Sequence, residues 1–445
     1  MKTVKYLFTL TLLLSFANLT MIWADVSVPA GVKAAVTVIT SLEWLIVLFI
    51  GFRRQSSGIR GRLAGLKKGI DTVHISGIAA VLEVILLVIW LALTDHGAVL
   101  IITAAAVPLL ALGLLMFSGV LRLIIHGRQI KLSRYVLLLM LWWVPVVNIF
   151  VIRSFYKNSK REYMIESARQ ELDDSRKEST VCATRYPILL VHGIFFRDWQ
   201  LVNYWGRIPA ALEKNGARLF YGRQQSSLAI AESAKEVKEA IAKVIIETGA
   251  EKVNIIAHSK GGLDSRYAIS CLGMDKYVAS LTTINTPHKG CDMVDWLLKR
   301  VPGGIVKMIE KRYNRIFSRL GDKAPDFMAG VRDLSAERAK SYDTEMPDSP
   351  LVSYRSVMSV MRGPRSAGFP LNIGCMLIKK LNGANDGLVW EESAKHGSQH
   401  MLITNSKRRG ISHGDVIDLM RENIEGFDVR EFYVGLVSEL RADGF

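Results

Sequence analysis

The feature that most constrains this chain is a series of apolar runs in its first third, at residues 6–23, 34–52, 74–94, 98–125 and 135–152. A hydrocarbon layer about 30 Å thick takes roughly 17–25 helical residues to cross, and each run is near that length. Backbone N–H and C=O groups in such a layer find no water, so the run must satisfy them within itself as a helix. The sequence therefore predicts an all-α transmembrane bundle of five helices over residues 1–152. Lys2 and Lys5 ahead of the first run, with Ala24 after it, have the pattern of a secretory signal. Bulky Ile22 stands where cleavage wants a small residue, and four more runs follow. Residues 6–23 thus read as an uncleaved first span.

Charge orients the bundle. Residues 1–152 hold 13 Lys and Arg against 5 acids. Arg53, Arg54, Arg60, Arg62, Lys67 and Lys68 fall in the loop 53–72, and Arg128, Lys131 and Arg134 in the loop 126–134. The intervening loops offer only Lys33. Cytoplasmic loops collect Lys and Arg, which puts both basic loops inside. Five spans starting inside then carry everything after residue 152 to the extracytoplasmic side of the cell membrane, although Arg153, Lys157, Lys160 and Arg161 follow the last run directly. Glu43 and Glu83 stand mid-span, where a carboxylate is costly and turns to the bundle interior. With no second relay partner in view, they read as hydrogen-bonded packing residues rather than a proton path.

Residues 153–180 mix both signs of charge with few apolar residues, the composition of a solvated helical linker. Over 181–445 short apolar runs alternate with helical stretches: Tyr186–Val191, Leu219–Tyr221, a helix around 229–247, Val253–Ala257, Leu281–Ile284 and Met401–Thr404. That alternation predicts a mostly parallel sheet with crossover helices, one α/β domain. The chain's net charge of +16 includes no basic stripe interleaved with aromatics, so nucleic acid is not an expected partner. Cys182, Cys271, Cys291 and Cys375 lack metal-ligand spacing and read as thiols.

The chemistry centres on Ala257-His258-Ser259-Lys260-Gly261, which follows an apolar strand and opens a helical stretch. A serine on a tight strand-to-helix turn points outward, and its neighbours two before and two after must be small. Val191-His192-Gly193-Ile194-Phe195 follows the first strand. Acyl transfer needs two N–H donors where the oxyanion forms, and the backbone amides of Lys260 and Ile194 are the candidates. An acid and then a histidine must follow the serine in chain order. His396 and His400 precede the run Met401–Thr404, whereas His413 follows it and so lies at the right end of that strand. Asp386, in Asn385-Asp386-Gly387, is the acid that would hold the imidazole tautomer; Asp415 and Asp418 come after the histidine.

Tyr186-Pro187-Ile188-Leu189-Leu190-Val191-His192-Gly193, the Ser259 turn continuing to Tyr267, Thr286-Pro287-His288, Asn385-Asp386-Gly387-Leu388-Val389 and His413 together resemble bacterial triacylglycerol lipases. The likeness is strongest to the Firmicutes-type lipase/esterase group and weaker to the Pseudomonas and Burkholderia lipases, and it covers about 184–445. It implies an α/β-hydrolase fold with a helical lid at about 291–345, Ser259, Asp386 and His413 as catalytic triad, and Ile194 and Lys260 as oxyanion donors. The substrate implied is a lipid or other carboxylic ester, with no cofactor. The weaker relatives bind Ca²⁺ through two aspartates. Asp415 matches one, but no acid lies between Asp348 and Asp386 to match the other, so no metal is expected. The same triad serves a lipid acyltransferase, and a silent hydrolase-like membrane module is the reading outside enzymes.

Within the lid region Ile305, Met308, Ile309, Tyr313, Ile316, Phe317 and Leu320 recur at helical spacing, with Lys307, Lys311, Arg312, Arg315 and Arg319 between them and Pro302-Gly303-Gly304 ahead as a hinge. Ile305, Ile309, Tyr313 and Phe317, with Phe195, are the expected lid and substrate contacts. Such a basic amphipathic helix either packs permanently on the core or lies on an anionic membrane surface.

Overall fold

The computed structural model describes residues 2–53, 59–141, 143–194, 204–225, 227–319, 325–381, 383–407 and 409–445. It divides into two compact units, residues 1–175 and 176–445.

The first unit is helical: α1 (Lys2–Ala17), α2 (Leu19–Asp25), α3 (Ala30–Ile50), α4 (Gly61–Leu93), α5 (Ala98–His126), α6 (Leu132–Leu141) and α7 (Pro145–Ser175). Among the described residues, α3, α4 and α5 are long and apolar enough to cross a membrane, and α1 with α2 adds a fourth if that pair, bent by 70°, is one span. The stretch expected as a fifth span has a different local structure. Residues 135–152 are not one helix, because the chain breaks between α6 and α7 and Pro145, which has no N–H to give an ongoing helix, starts the latter. Ten residues of α6 reach only about 15 Å, half of a hydrocarbon layer. Helix α7 then runs unbroken to Ser175, through the stretch expected to be a linker.

Polar ties fix both ends of this bundle. At one end Asp25 accepts the indole N–H of Trp90 at 2.6 Å and lies 3.0 Å from His96 Nε2. At the other, the Arg122 guanidinium donates to the carbonyls of Leu48 (2.9 Å) and Phe49 (2.7 Å), the last turn of α3. At that same end Glu162 of α7, 1 % exposed, accepts from Arg62 at 2.5 Å and from the backbone N–H groups of Arg128 (3.0 Å) and Gln129 (3.1 Å). Between the ends, Glu43 accepts from Thr9 Oγ1 (2.8 Å) and Glu83 from Asn18 Nδ2 (2.6 Å), so both acids are hydrogen-bonded inside the bundle.

The second unit is a six-stranded, wholly parallel sheet in the order β2-β1-β3-β4-β5-β6. Its strands are β1 (Ile188–Val191), β2 (Leu219–Tyr221), β3 (Val253–His258), β4 (Val278–Ile284), β5 (Ser353–Ser359) and β6 (Gln399–Ile403). Strand residues alternate between two cores, as the pleat requires. Ile188, Leu190, Ile256, Ile284 and Val357 pack with Trp205, α8 (Ile208–Lys214) and α18 (Val429–Ala442). Leu189, Val191, Val253, Ile255 and Leu281 pack with α9 (Ile230–Thr248) and α10 (Lys260–Cys271). Between β4 and β5 lie α11 (Asp292–Arg300), α12 (Gly303–Arg319), α13 (Phe327–Asp333), α14 (Ala336–Ala339) and α15 (Tyr342–Glu345). Between β5 and β6 lie α16 (Leu371–Leu381) and α17 (Glu391–Ala394).

The sequence pattern did not reveal β5. Its run Ser-Tyr-Arg-Ser-Val-Met-Ser has no apolar stretch, and its polar members are matched individually: Ser359 Oγ accepts from Asn285 Nδ2 at 2.7 Å, and Ser356 Oγ lies 2.8 Å from His400 Nδ1. A parallel strand buried on both faces usually reads as a continuous apolar run. Here hydrogen bonds to neighbouring strands do that work.

Candidate active site

All parallel strands end on one edge of the sheet, and the loops there converge. Ser259 follows β3 as the N-cap of α10, with φ 53° and ψ −129°. A non-glycine residue at positive φ is strained, and only surrounding packing holds it there. That packing leaves no room for larger neighbours. A Cβ on Gly261 would lie 2.3 Å from the carbonyl oxygen of His192, and one on Gly262 would lie 2.2 Å from Thr286 Oγ1. Ala257, two residues before the serine, is fully buried. Thr286 Oγ1 also donates to the Ser259 carbonyl at 2.9 Å, tying the turn to the loop after β4.

Ser259 Oγ lies 3.1 Å from His413 Nε2, and His413 Nδ1 lies 2.6 Å from Asp386 Oδ2. With the proton on Nδ1 and donated to the carboxylate, Nε2 is free to accept the serine proton. Asp386 is fully buried, and its other oxygen accepts the backbone N–H groups of Leu388 and Val389, each at 2.8 Å. The His413 N–H donates to the Asp386 carbonyl at 2.9 Å, so main chain as well as side chain joins the two loops. The structure thus brings Ser259, Asp386 and His413 into one hydrogen-bonded line. The imidazole of His258 lies 4.5 Å, centroid to centroid, from that of His413. Burial, and then the nearness of His413, push the His258 pKa well below its usual value, so His258 stays neutral and does not place a second charge beside the site.

The loop after β1 lies directly against the turn: a Cβ on Gly193 would sit 2.8 Å from the Ser259 Cβ. This brings the main chain of Gly193 and Ile194 alongside the serine, where oxyanion donors are needed. The Gly193 N–H donates to Tyr204 Oη at 3.0 Å, and that hydroxyl lies 2.6 Å from His258 Nδ1. Tyr204 therefore joins the β1 loop to the residue before the serine, a role no sequence motif signalled. Lys260 is 1 % exposed. Its ammonium turns to Asp264 rather than toward the substrate side.

The rival histidines are engaged elsewhere. His396 Nε2 lies 3.0 Å from Asp348, its ring stacks on His288 at 4.3 Å, and His400 lies on β6 with Nδ1 at Ser356. Asp415 accepts from Arg409 at 2.6 Å and from the Ser412 hydroxyl at 2.7 Å, and Asp418 is bidentate to Arg207. The carboxylate once weighed as a Ca²⁺ ligand is thus matched by a guanidinium. All four cysteines are free, and burial pushes the Cys291 thiol up to about 12.

Helix α12 meets the core through Val306, Ile309 and Tyr313, which pack on a cluster containing Ile194, Leu263 and Phe327; the Tyr313 and Phe327 rings stack at 4.6 Å. Ile305, Met308 and Ile316 of the same helix are exposed. Phe195 and Leu320 lie outside the described residues, as does the side chain of Phe317.

Residues 185–286 match the family model described as lipase (class 2). A triacylglycerol lipase of Pseudarthrobacter phenanthrenivorans is 33% identical over 184 residues, covering 39% of this chain and 57% of its own. One of Burkholderia plantarii is also 33% identical over 184 residues, covering 39% and 51%. The chain spans about half the length of these curated relatives. Among solved structures, a Staphylococcus hyicus lipase is similar with a TM-score of 0.47 at 17% identity, over 58% of this chain and 97% of that one.

The close packing around the turn generates one expectation. Gly261→Val should displace the β1 loop, lowering stability by about 1–3 kcal/mol, the usual range for overpacking. Thermal melts beside wild type check this, and an unchanged melting temperature would mean that the 192–261 contact does not hold the turn.

Proposed function

We propose, from a second unit related to the bacterial class 2 lipases, that this chain is a membrane-anchored serine hydrolase cleaving carboxylic esters of lipids. The observation that carries the reading is the Ser259–His413–Asp386 line on a strained strand-to-helix turn. In this reading Ser259 Oγ gives its proton to His413 Nε2 and attacks the ester carbonyl carbon. The carbonyl oxygen becomes an oxyanion facing the N–H groups of Lys260 and Ile194. Imidazolium held by Asp386 then returns the proton to the leaving alcohol, and an acyl-enzyme remains. Water, deprotonated by His413, repeats the sequence and releases the acid.

Ser259→Ala, His413→Ala and Asp386→Asn should each remove most ester hydrolysis by the full chain in detergent while leaving its melting temperature nearly unchanged. Because triad members act as a unit, Ser259→Ala/His413→Ala should be hardly worse than either single change. A fluorophosphonate probe should label wild type at Ser259. An unlabelled, inactive wild type would leave a silent module, and full activity in His413→Ala would discard the triad.

The proposal extends to the side of the membrane. Glu162 of α7 is bonded to Arg62 at the start of α4 and to the amides just after α5, so α7 returns to the basic end of the bundle. A half-length α6 going in and α7 coming back make a hairpin rather than a crossing. We therefore place residues 176–445 on the cytoplasmic side, with the 53–60 loop, in place of the extracytoplasmic side that five spans require. Reporter fusions at residues 60 and 170 should both report cytoplasm; opposite compartments would restore a fifth crossing.

The exposed side of α12 supports a membrane-facing lid. It alternates Ile305, Met308 and Ile316 with Lys307, Lys311, Arg312, Arg315 and Arg319. Such a face suits the anionic cytoplasmic leaflet, while Ile309 and Tyr313 pack on the cluster that contains Ile194. Activity per molecule should rise when the substrate passes from monomers to anionic vesicles, and Ile305→Asp/Met308→Asp should remove the rise but spare a short soluble ester. Ordinary saturation through the critical micelle concentration would make α12 a fixed piece of core.

A further inference from the structure

The residue after the nucleophile is a lysine whose side chain is sealed inside the protein. Its Nζ donates to Asp264 Oδ1 at 2.7 Å, one turn along α10, and to Ser233 Oγ at 2.9 Å on α9. Lys260 and Asp264 are 1 % and 2 % exposed, and Ser233 is fully buried. Asp264 shares this pocket with Glu236 of α9, Asp333 of α13 and Tyr342 of α15, the titratable groups whose fields reach it. Glu236 is held by the Gln225 side-chain amide at 2.5 Å, and Asp333 caps the Ile230 N–H at 2.7 Å, so both are anchored to the start of α9.

Stability alone does not account for such a pair, because apolar residues of similar volume often replace buried ions without loss. Its placement does. The Ser259 turn is strained, and the first turn of α10, which begins with the Lys260 N–H, is the segment that would relax first. A charged tether from that residue, forward to Asp264 and sideways to Ser233, resists rotation of the peptide that carries the N–H. The ammonium itself is turned to these partners, so it does not act as a charge beside the substrate.

We propose that the buried Lys260–Asp264 pair, with Ser233, is a positioning device that aims the Lys260 backbone N–H at the oxyanion. This rests on the reading that Ser259 attacks an ester carbonyl. The tether matters only when the carbonyl oxygen has become tetrahedral and charged, so kcat responds and KM does not. Burial pushes the Asp264 carboxyl up to about 7 against the pull of Lys260. As pH falls through that value the acid is neutralised and the tether weakens.

The test uses the full chain in detergent. Lys260→Met/Asp264→Leu keeps the backbone N–H and replaces both ions by apolar groups. Expected is a kcat lower by about 10- to 100-fold, within the range for losing one oxyanion donor, with KM changed less than about threefold. Affinity for an alkyl boronic acid, which forms a tetrahedral adduct on Ser259, should fall in step with kcat/KM. The acid limb of kcat, where the general base must also lose its proton, should be steeper in wild type, where Asp264 adds an ionisation near 7, than in the double variant. The raised carboxyl pKa makes the opposite sign for stability: the native state holds its proton more tightly, so the Asp264 contribution is present below about 4 and is lost as pH rises through about 7. Wild type should therefore lose melting temperature relative to the double variant between pH 5 and pH 8. Ser233→Ala, which leaves the ion pair whole, should lower kcat roughly three- to tenfold in protein that still folds, with a melting temperature reduced only by the loss of one buried hydrogen bond, and it decides the matter if the double variant does not fold. Wild-type kcat and boronate affinity in the folded variants, with Ser259→Ala inactive, would overturn the positioning role and leave ester hydrolysis standing. Full activity in Ser259→Ala would instead overturn the hydrolysis reading.

Discussion

The second unit is organised around one strained residue. Ser259 stands at φ 53° between β3 and α10, and it can do so only because the chain on every side comes too close for it to move. The loop after β1 touches its Cβ position, Thr286 from the loop after β4 holds its carbonyl, and Gly261 packs on the His192 carbonyl. The contacts come from the loops after two other strands, β1 and β4, so the turn is a product of the parallel sheet. Loops that follow β1, β3 and β4 can meet there because all strands run the same way and end on one edge.

The same geometry sorts the histidines. His396 and His400 sit before and within β6, and each finds a local partner in Asp348 or Ser356. His413 comes after β6, on the edge where Ser259 lies, and Asp386 reaches it from the loop that follows α16. His258, adjacent in sequence to Ser259, is held neutral by burial and hydrogen-bonded to Tyr204 instead. The line Asp386–His413–Ser259 thus gains no charge from the neighbouring imidazole.

The first unit obeys a different constraint. In a hydrocarbon layer the helices close their own hydrogen bonds, so specific polar ties concentrate where the chain leaves it. Asp25 with Trp90 marks one end, and Arg122 on the α3 carbonyls with Glu162 on Arg62 marks the other. These ties state which helix ends lie together, which hydropathy alone does not. They set α7 beside the start of α4 and the amides just after α5, whereas hydropathy reads α6 and the start of α7 as one run.

The sequence by itself carried the division into an apolar helical part and an α/β part, most strands, the serine turn and the order serine, acid, histidine that the fold brings into one line. These are local: apolar periodicity, small residues at fixed offsets and position relative to a strand all survive in a one-dimensional reading. Strand β5 was hidden because its burial is balanced by Asn285 and His400, residues far away in the chain. The break within residues 135–152 was hidden because hydropathy counts through Pro145, where the helix restarts. The Tyr204 bridge and the Lys260–Asp264–Ser233 tether carried no signal either, since a tyrosine and a lysine are ordinary residues until the fold buries them beside the nucleophile. Tertiary structure alone decided which polar groups face one another, because a hydrogen bond depends on distances of about 3 Å between atoms that the sequence separates by tens or hundreds of residues.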